Sequence, residues 1–188
     1  MNPLSFNPFP ILTTHRLTLR QLRSNDDELI FNYQNDKSNF EHVDMPIYKH
    51  ITEAQKYIVR MNKGVAENKW IIWAIADKET DNILGTISIW NISIVDERGE
   101  LGYGLFPGST GKGLMTEALR KVVNYGFDTM GLKRIEAYTN ETNIKSRSLL
   151  ERNGFSFDSF FPEKRDTDDV PIQMVIYSKD NANGSDDK

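Results

Sequence analysis

The sequence predicts a mixed α+β fold, with about seven strands and four flanking helices in the order β-α-α-β-β-β-α-β-α-β-β. Three observations carry that prediction. Short apolar runs bounded by turn residues recur at strand length, as in Ile71-Ile72-Trp73-Ala74-Ile75-Ala76. Apolar residues then repeat at helical spacing through Met115, Ala118, Leu119, Val122 and Val123. Between the two patterns a glycine-rich stretch, Gly104 to Leu119, leads from a strand straight into that helix.

Each element has its own signal. Arg16 to Leu22 alternates Leu17 and Leu19 with polar neighbours, the mark of a half-buried strand. Asn25-Asp26-Asp27-Glu28 opens a helix with an acidic first turn and continues through Leu29, Ile30 and Tyr33. Phe40 to His50 has no period, contains Pro46, and reads as a loop. Thr52-x-x-Gln55 has the form of a capping box, starting a helix through Tyr57, Ile58, Met61 and Val65. Strands follow near Trp70–Asp77 and Ile83–Ile92, joined by Lys78-Glu79-Thr80-Asp81-Asn82.

A strand near Gly99–Phe106 enters the glycine turn, and the helix beyond it reaches Met130 with Glu117, Arg120, Lys121, Asn124 and Asp128 on its polar side. Arg134–Tyr138 reads as a strand, and Ser146–Arg152 as a short helix stopped by Asn153-Gly154. Strands near Phe155–Phe161 and Pro171–Tyr177 complete the set. Residues 1–10 form an N-terminal extension, 11–178 one domain, and 179–188 a loose polar tail. No repeat or linker interrupts this order.

Composition narrows the function. The 188 residues suit one domain with a substantial core, at 38% hydrophobic, 11% aromatic and 27% charged. A net charge of −4 with no basic block argues against nucleic acid as a partner, since that affinity rests on phosphate neutralisation. A mildly acidic surface suits a cationic amine. With 0 cysteines there is no disulfide, no cysteine-ligated zinc and no cysteine acyl-enzyme. The apolar runs are far shorter than the ~20 residues of a membrane span. The start has three prolines and no cationic segment, unlike a signal peptide, so the cytoplasm is the expected compartment. The 3 histidines, His15, His42 and His50, have no ligand spacing and no metal is expected.

Gly111 and Gly113 leave backbone N–H groups free to close around an anion, and the first N–H groups of the following helix add to them. Strand, glycine turn and helix N-terminus together read as a phosphate cradle. It is not a P-loop, because Lys112 is followed by Gly113 rather than by a hydroxyl residue. Nor is it a dinucleotide fingerprint, whose third glycine would fall on Thr116 or Pro107.

The segment resembles the acyl-CoA pyrophosphate loop of the GNAT N-acetyltransferase superfamily, Gln/Arg-x-x-Gly-x-Gly/Ala, here Thr110, Gly111, Lys112, Gly113, Leu114 and Met115. Thr110 and Met115 depart from that pattern. Two further segments, Leu12 to Arg20 and Asn143-Ile144-Lys145-Ser146 with Leu149 to Phe155, are similar to the branch that acetylates N-termini of ribosomal proteins. The resemblance spans roughly residues 11 to 178. It implies a GNAT fold whose strands Gly99–Phe106 and Arg134–Tyr138 splay apart to admit the pantetheine arm.

It also implies acetyl-CoA as co-substrate, held by the N–H groups of Gly111, Lys112, Gly113, Leu114 and Met115. Main-chain groups of Leu105 and Phe106 would pair with the pantetheine amides, and Asn143 and Ser146 would contact CoA. Ser146 is the candidate to assist the leaving thiolate, since the position where other members carry a tyrosine acid is Leu150. Glu100 is the first candidate base, with Glu136 and Glu163 as alternatives.

Trp70, Trp73 and Trp90 read as packing residues, while Trp90, Tyr33 and Phe40 are candidates to line an acceptor pocket. At pH 7 a free α-amine of pKa near ~8 costs about 1.4 kcal/mol to neutralise, against about 4.6 kcal/mol for a lysine-like amine. With no committed base pair in the sequence, an N-terminal amine is the favoured acceptor. A small amine such as a polyamine or antibiotic, or a non-catalytic acyl-CoA-binding module, are the rivals. The protein is expected as a monomer or homodimer.

Overall fold

The computed structural model describes residues 4–41, 45–163 and 172–182, the side chains of 162, 163 and 172 excepted. Its strands are β1 (Leu12–Thr13), β2 (Leu17–Arg20), β3 (Ile71–Asp77), β4 (Ile83–Ser93), β5 (Arg98–Leu105), β6 (Arg134–Asn140), β7 (Ser156–Glu163) and β8 (Ile172–Asp180). All eight lie in one sheet, ordered β1-β2-β3-β4-β5-β6-β8-β7. The helices are α1 (Asp27–Asn35), α2 (Ile51–Ala66), α3 (Leu114–Asp128) and α4 (Ile144–Arg152). The α+β class and four helices match expectation, and the eighth strand is β1, whose two residues are too few to show a period.

The neighbouring strand pairs are antiparallel except β5 and β6. A parallel pair needs a crossover, and α3 supplies it. Leu114, Met115, Ala118, Leu119, Val122 and Val123 of α3 are buried, as their spacing requires. They meet a core that includes Trp73, Ile89 and Ile135, all fully buried. Each such side chain contributes about 1.5–3 kcal/mol through the apolar area it removes from water. β3 is buried at every position from Ile71 to Ala76, as a central strand covered on both faces.

Several boundaries differ from the sequence reading. The strand predicted over Arg16–Leu22 is confined to Leu17–Arg20. Lys37–Phe40 forms a 3-10 turn before the loop, and His42 lies outside the described residues. α2 is not capped by a Thr52–Gln55 box: its N-cap is His50, two residues earlier, and Glu53 accepts from the backbone N–H groups of Lys49 and His50. An ionised carboxylate near a helix N-terminus outcompetes a neutral amide there, and Gln55 donates instead to Asp27 of α1.

The polar tail begins later than Lys179. Lys179 and Asp180 pair with Ile135 and Arg134 inside β8, and Asn181 donates to Lys133. Glu163, expected in a loop, pairs with Ile172 at the end of β7, and its side chain lies outside the described residues. Within the N-terminal stretch Phe6 is buried in the core, and Trp73 donates its indole N–H to Pro10. Trp90, by contrast, is 45% exposed and stands at the edge of a cleft.

Candidate active site

β5 and β6 are register partners at three positions, Arg98 with Arg134, Gly99 with Ile135 and Glu100 with Glu136. Beyond Glu100 the two strands part. β5 continues to Leu105 paired only with β4, and β6 continues to Asn140 paired only with β8. The opening is the splay that the sequence resemblance implied.

Phe106 donates its N–H to Leu84 across the β4 edge, and its carbonyl accepts from Ser109. Its amide is therefore already engaged. Alternation along an antiparallel pair then turns the main-chain groups of Leu105 and Tyr103 away from β4, toward the opening. Leu105 thus presents backbone groups to an extended ligand, and the second such residue is Tyr103.

The glycine turn stands at the end of this opening. Gly108, Gly111 and Gly113 have φ of 82°, 75° and 75°, left-handed values that disfavour residues with a Cβ. Gly113 is the N-cap of α3 and no side chain caps that helix. The N–H groups of Gly111, Lys112, Gly113, Leu114, Met115 and Thr116 meet no acceptor among the described residues. Leu114 and Met115 direct their side chains into the core, so only their amides face the turn. Met115 can therefore stand where the family pattern has Gly or Ala.

On the α1/α2 side of the sheet, a cleft of about 480 Å³ opens over the point where β5 and β6 part. Tyr33, Phe40 and Phe106 form one wall, with ring centroids 5.1 Å and 4.8 Å from Tyr33. Tyr57, Trp90 and Tyr138 complete the aromatic lining. Among the described lining residues, Glu100 alone is charged.

The two carboxylates at the apex differ in their surroundings. Glu136 accepts from Arg98 at 3.1 Å and from Arg134 at 3.3 Å, and the Tyr138 hydroxyl stands 3.4 Å away. Among the described residues Glu100 has one side-chain partner, the Asn91 amide at 3.4 Å. Asn91 reaches it because β4 shifts register between Trp90 and Ser93, with Asn91 left-handed at φ 46°. Burial pushes the Glu100 carboxyl above its ordinary pKa and the neighbouring charge of Glu136 adds to this, while Asn91 and Arg98 oppose it.

On the opposite side of the sheet, α4 begins at Asn143, whose side chain caps the helix by accepting from the Ser146 N–H at 3.1 Å. Ser146 Oγ is thereby left for another partner, the Tyr103 hydroxyl at 2.8 Å. Tyr103 is largely buried, and burial pushes its pKa up to about 12 against a smaller lowering by Ser146. The fold thus gathers Leu105, Gly111 to Met115, Glu100, Asn143 and Ser146 around one opening, with Glu136 beside Glu100. Tyr103, Asn91 and Tyr138 are the members that sequence reasoning missed. Tyr103 was the one with a local trace, a hydroxyl in the apolar alternation of Leu101 and Leu105.

No helix among the described residues is long and apolar enough to cross a membrane. Residues 16–156 match the family model of the acetyltransferase (GNAT) domain. The chain is 32% identical over 170 residues to an uncharacterised N-acetyltransferase of Bacillus subtilis, covering 90% of this chain and 96% of that one. It is 24% identical over 169 residues to a spermidine N(1)-acetyltransferase of Vibrio cholerae, covering 87% and 95%. Among solved structures, a ribosomal L7/L12 α-N-protein acetyltransferase in complex with coenzyme A superposes with a TM-score of 0.80 at 15% identity, over 91% of this chain and 98% of that one.

Proposed function

The chain belongs to the GNAT acetyltransferase family and is an N-acetyltransferase, and from that premise we propose that it moves an acetyl group from acetyl-CoA directly onto the α-amine of a protein or peptide N-terminus. The groups present fit acetyl-CoA. Six amides without an acceptor among the described residues lie at the glycine turn, suited to a diphosphate, and the free backbone of Tyr103 and Leu105 suits the amide-bearing arm. When bound, acetyl-CoA supplies a thioester carbonyl open to attack by an amine. No residue of the chain needs to be acylated.

Glu100 takes the proton of the incoming amine. Its carboxylate faces the cleft with a single long hydrogen bond among the described residues, and its raised pKa makes it a better proton acceptor than an ordinary glutamate. Glu136, bound by two arginines, is the electrostatic neighbour of Glu100. Ser146 Oγ–H hydrogen-bonds the sulfur as the carbon–sulfur bond breaks, with Tyr103 behind it.

The observation that carries the choice of acceptor is that, among the described residues, Glu100 is the one charge lining a cleft otherwise neutral and aromatic. One carboxylate matches one amine. A polyamine has several ammonium groups, and desolvating those without partners is costly. An α-amine needs about 1.4 kcal/mol to become neutral at pH 7, within reach of one lightly held carboxylate.

Thiol release from acetyl-CoA tests this, with peptides beginning in Ser, Ala or Thr set against spermidine and an aminoglycoside. Turnover on at least one peptide is expected. Turnover confined to the small amines, or to none of the acceptors, overturns the reading.

A further inference from the structure

Arg16 reaches the glycine turn from the β1–β2 connection, 97 positions upstream of Gly113 by numbering (113 − 16). Glu117, in the first turn of α3, binds it twice. Its Oε1 accepts from the Arg16 backbone N–H and its Oε2 from Arg16 Nε, each at 2.8 Å. The Thr14 hydroxyl also donates to Glu117 Oε1. Arg16 Nη1 donates to the carbonyl of Lys112 at 2.9 Å, inside the turn itself. Its Nη2 lies 3.6 Å from where a Cβ on Gly113 would stand and has no acceptor among the described residues.

We infer that Arg16 is a side-chain ligand of the acetyl-CoA diphosphate, taking the place of the Gln or Arg that the family pattern has at Thr110. The inference rests on the acetyl-CoA reading above. Thr110 is exposed and too short to span the turn with a charge. The Arg16 guanidinium is fixed by Glu117 on one edge and by Lys112 on another. Its remaining N–H donors stand beside Gly113, in the row of free amides. A planar guanidinium held in this way loses little freedom when it meets a phosphate, and it matches phosphate oxygens in pairs.

Charge supports the assignment as well as geometry. Glu117 alone would place a negative charge a single helical turn from an anion site. Arg16, ion-paired with it, removes that repulsion. The ion pair orients Arg16, and Arg16 makes the carboxylate tolerable there.

Calorimetric titration of the full chain with CoA tests the assignment, using Arg16→Gln, Arg16→Lys and Glu117→Gln, each checked for folding by circular dichroism. Loss of one charge-assisted contact predicts that Arg16→Gln weakens CoA by about ten- to a hundredfold and flattens the salt dependence of its affinity. Arg16→Lys should recover part of the loss, because a cation remains. Glu117→Gln, which frees the guanidinium, should weaken CoA less than Arg16→Gln and leave the salt dependence steep. An Arg16→Gln protein with wild-type affinity overturns the inference. So does one that loses affinity with an unchanged salt slope, which would mark Arg16 as a brace alone. A wild-type chain that binds no CoA would instead remove the acetyl-CoA reading itself.

Discussion

The Tyr103 hydroxyl stands 2.8 Å from Ser146 Oγ, joining β5 to the first turn of α4 across the open end of the sheet. With its pKa pushed up to about 12, Tyr103 keeps its proton throughout the neutral range, and either hydroxyl can donate in that bond. When Tyr103 donates, the Ser146 hydrogen is free to point away from it. Tyr103→Phe removes this constraint without removing a ring from the core. It should lower kcat by about ten- to a hundredfold and leave CoA affinity within about twofold. Ser146→Ala should do the same, and the double variant should fall little further than the weaker single one, because the two hydroxyls act as a unit. Steady-state rates on the best acceptor, with calorimetric CoA binding, measure this. Fully additive losses would contradict it.

Glu100 and Glu136 face the same side of the sheet at paired positions, and their unequal partners set the pH response. Glu100→Gln should cost kcat/KM about 10²–10⁴-fold with the fold intact. In the wild-type protein the acid limb of kcat/KM should lie above the ordinary glutamate pKa of about 4.3, since burial and the Glu136 charge both favour the protonated form. Glu136→Gln removes one of those causes and leaves Arg98 with Asp96, 3.9 Å away, as its remaining carboxylate. The limb should therefore move to lower pH. An upward shift would exclude Glu100 as the titrating group.

The turn glycines are required by backbone angle, not by crowding. A Cβ on Gly111 would find nothing within 4 Å, yet φ is 75°. The left-handed region costs an L-residue about 1–2 kcal/mol and costs a β-branched one more. CoA affinity should fall in the order Gly111→Asn, Gly111→Ala, Gly111→Val, because asparagine tolerates that region best. Gly113→Val should abolish CoA binding while the protein still melts cooperatively. Equal affinities across the series would show that the turn does not grip the ligand.

These elements also mark what the sequence makes legible. The α3 helix was readable because its period is local, and the glycine turn because positive φ selects glycine within a few residues. Glu100 is legible at a strand end, but the reach of its partner Asn91 depends on a register shift in the neighbouring strand. The Tyr103–Ser146 bond spans 43 positions and the Arg16–Glu117 pair 101, so no window of sequence contains either. The α2 start is not legible as a Thr52–Gln55 box because Glu53, an alternative N3 residue two positions before Gln55, binds the N–H groups of Lys49 and His50 and sets the start earlier.

A last expectation concerns the wall of the cleft. Arg20 is 3% exposed and binds Asp26 through both terminal nitrogens, at 2.8 and 2.9 Å, while its Nε meets Asp81 at 2.9 Å. Asp26 also accepts from the Arg23 N–H, so the pair ties β2 to the entry of α1, the helix that carries Tyr33. Asp26→Ala leaves a buried guanidinium half-partnered and should cost about 3–5 kcal/mol of stability. Asp81 is half exposed at its side chain, so water can reach the Arg20 Nε it leaves, but its left-handed φ of 59° disfavours alanine, and Asp81→Ala should cost about 1–2 kcal/mol, less than Asp26→Ala. Urea denaturation separates the two. Because α1 forms one side of the acceptor cleft while the glycine turn lies beyond β5, Asp26→Ala should raise the acceptor KM before it weakens CoA. The opposite order would mean that the β2–α1 junction supports the nucleotide end of the site rather than the amine end.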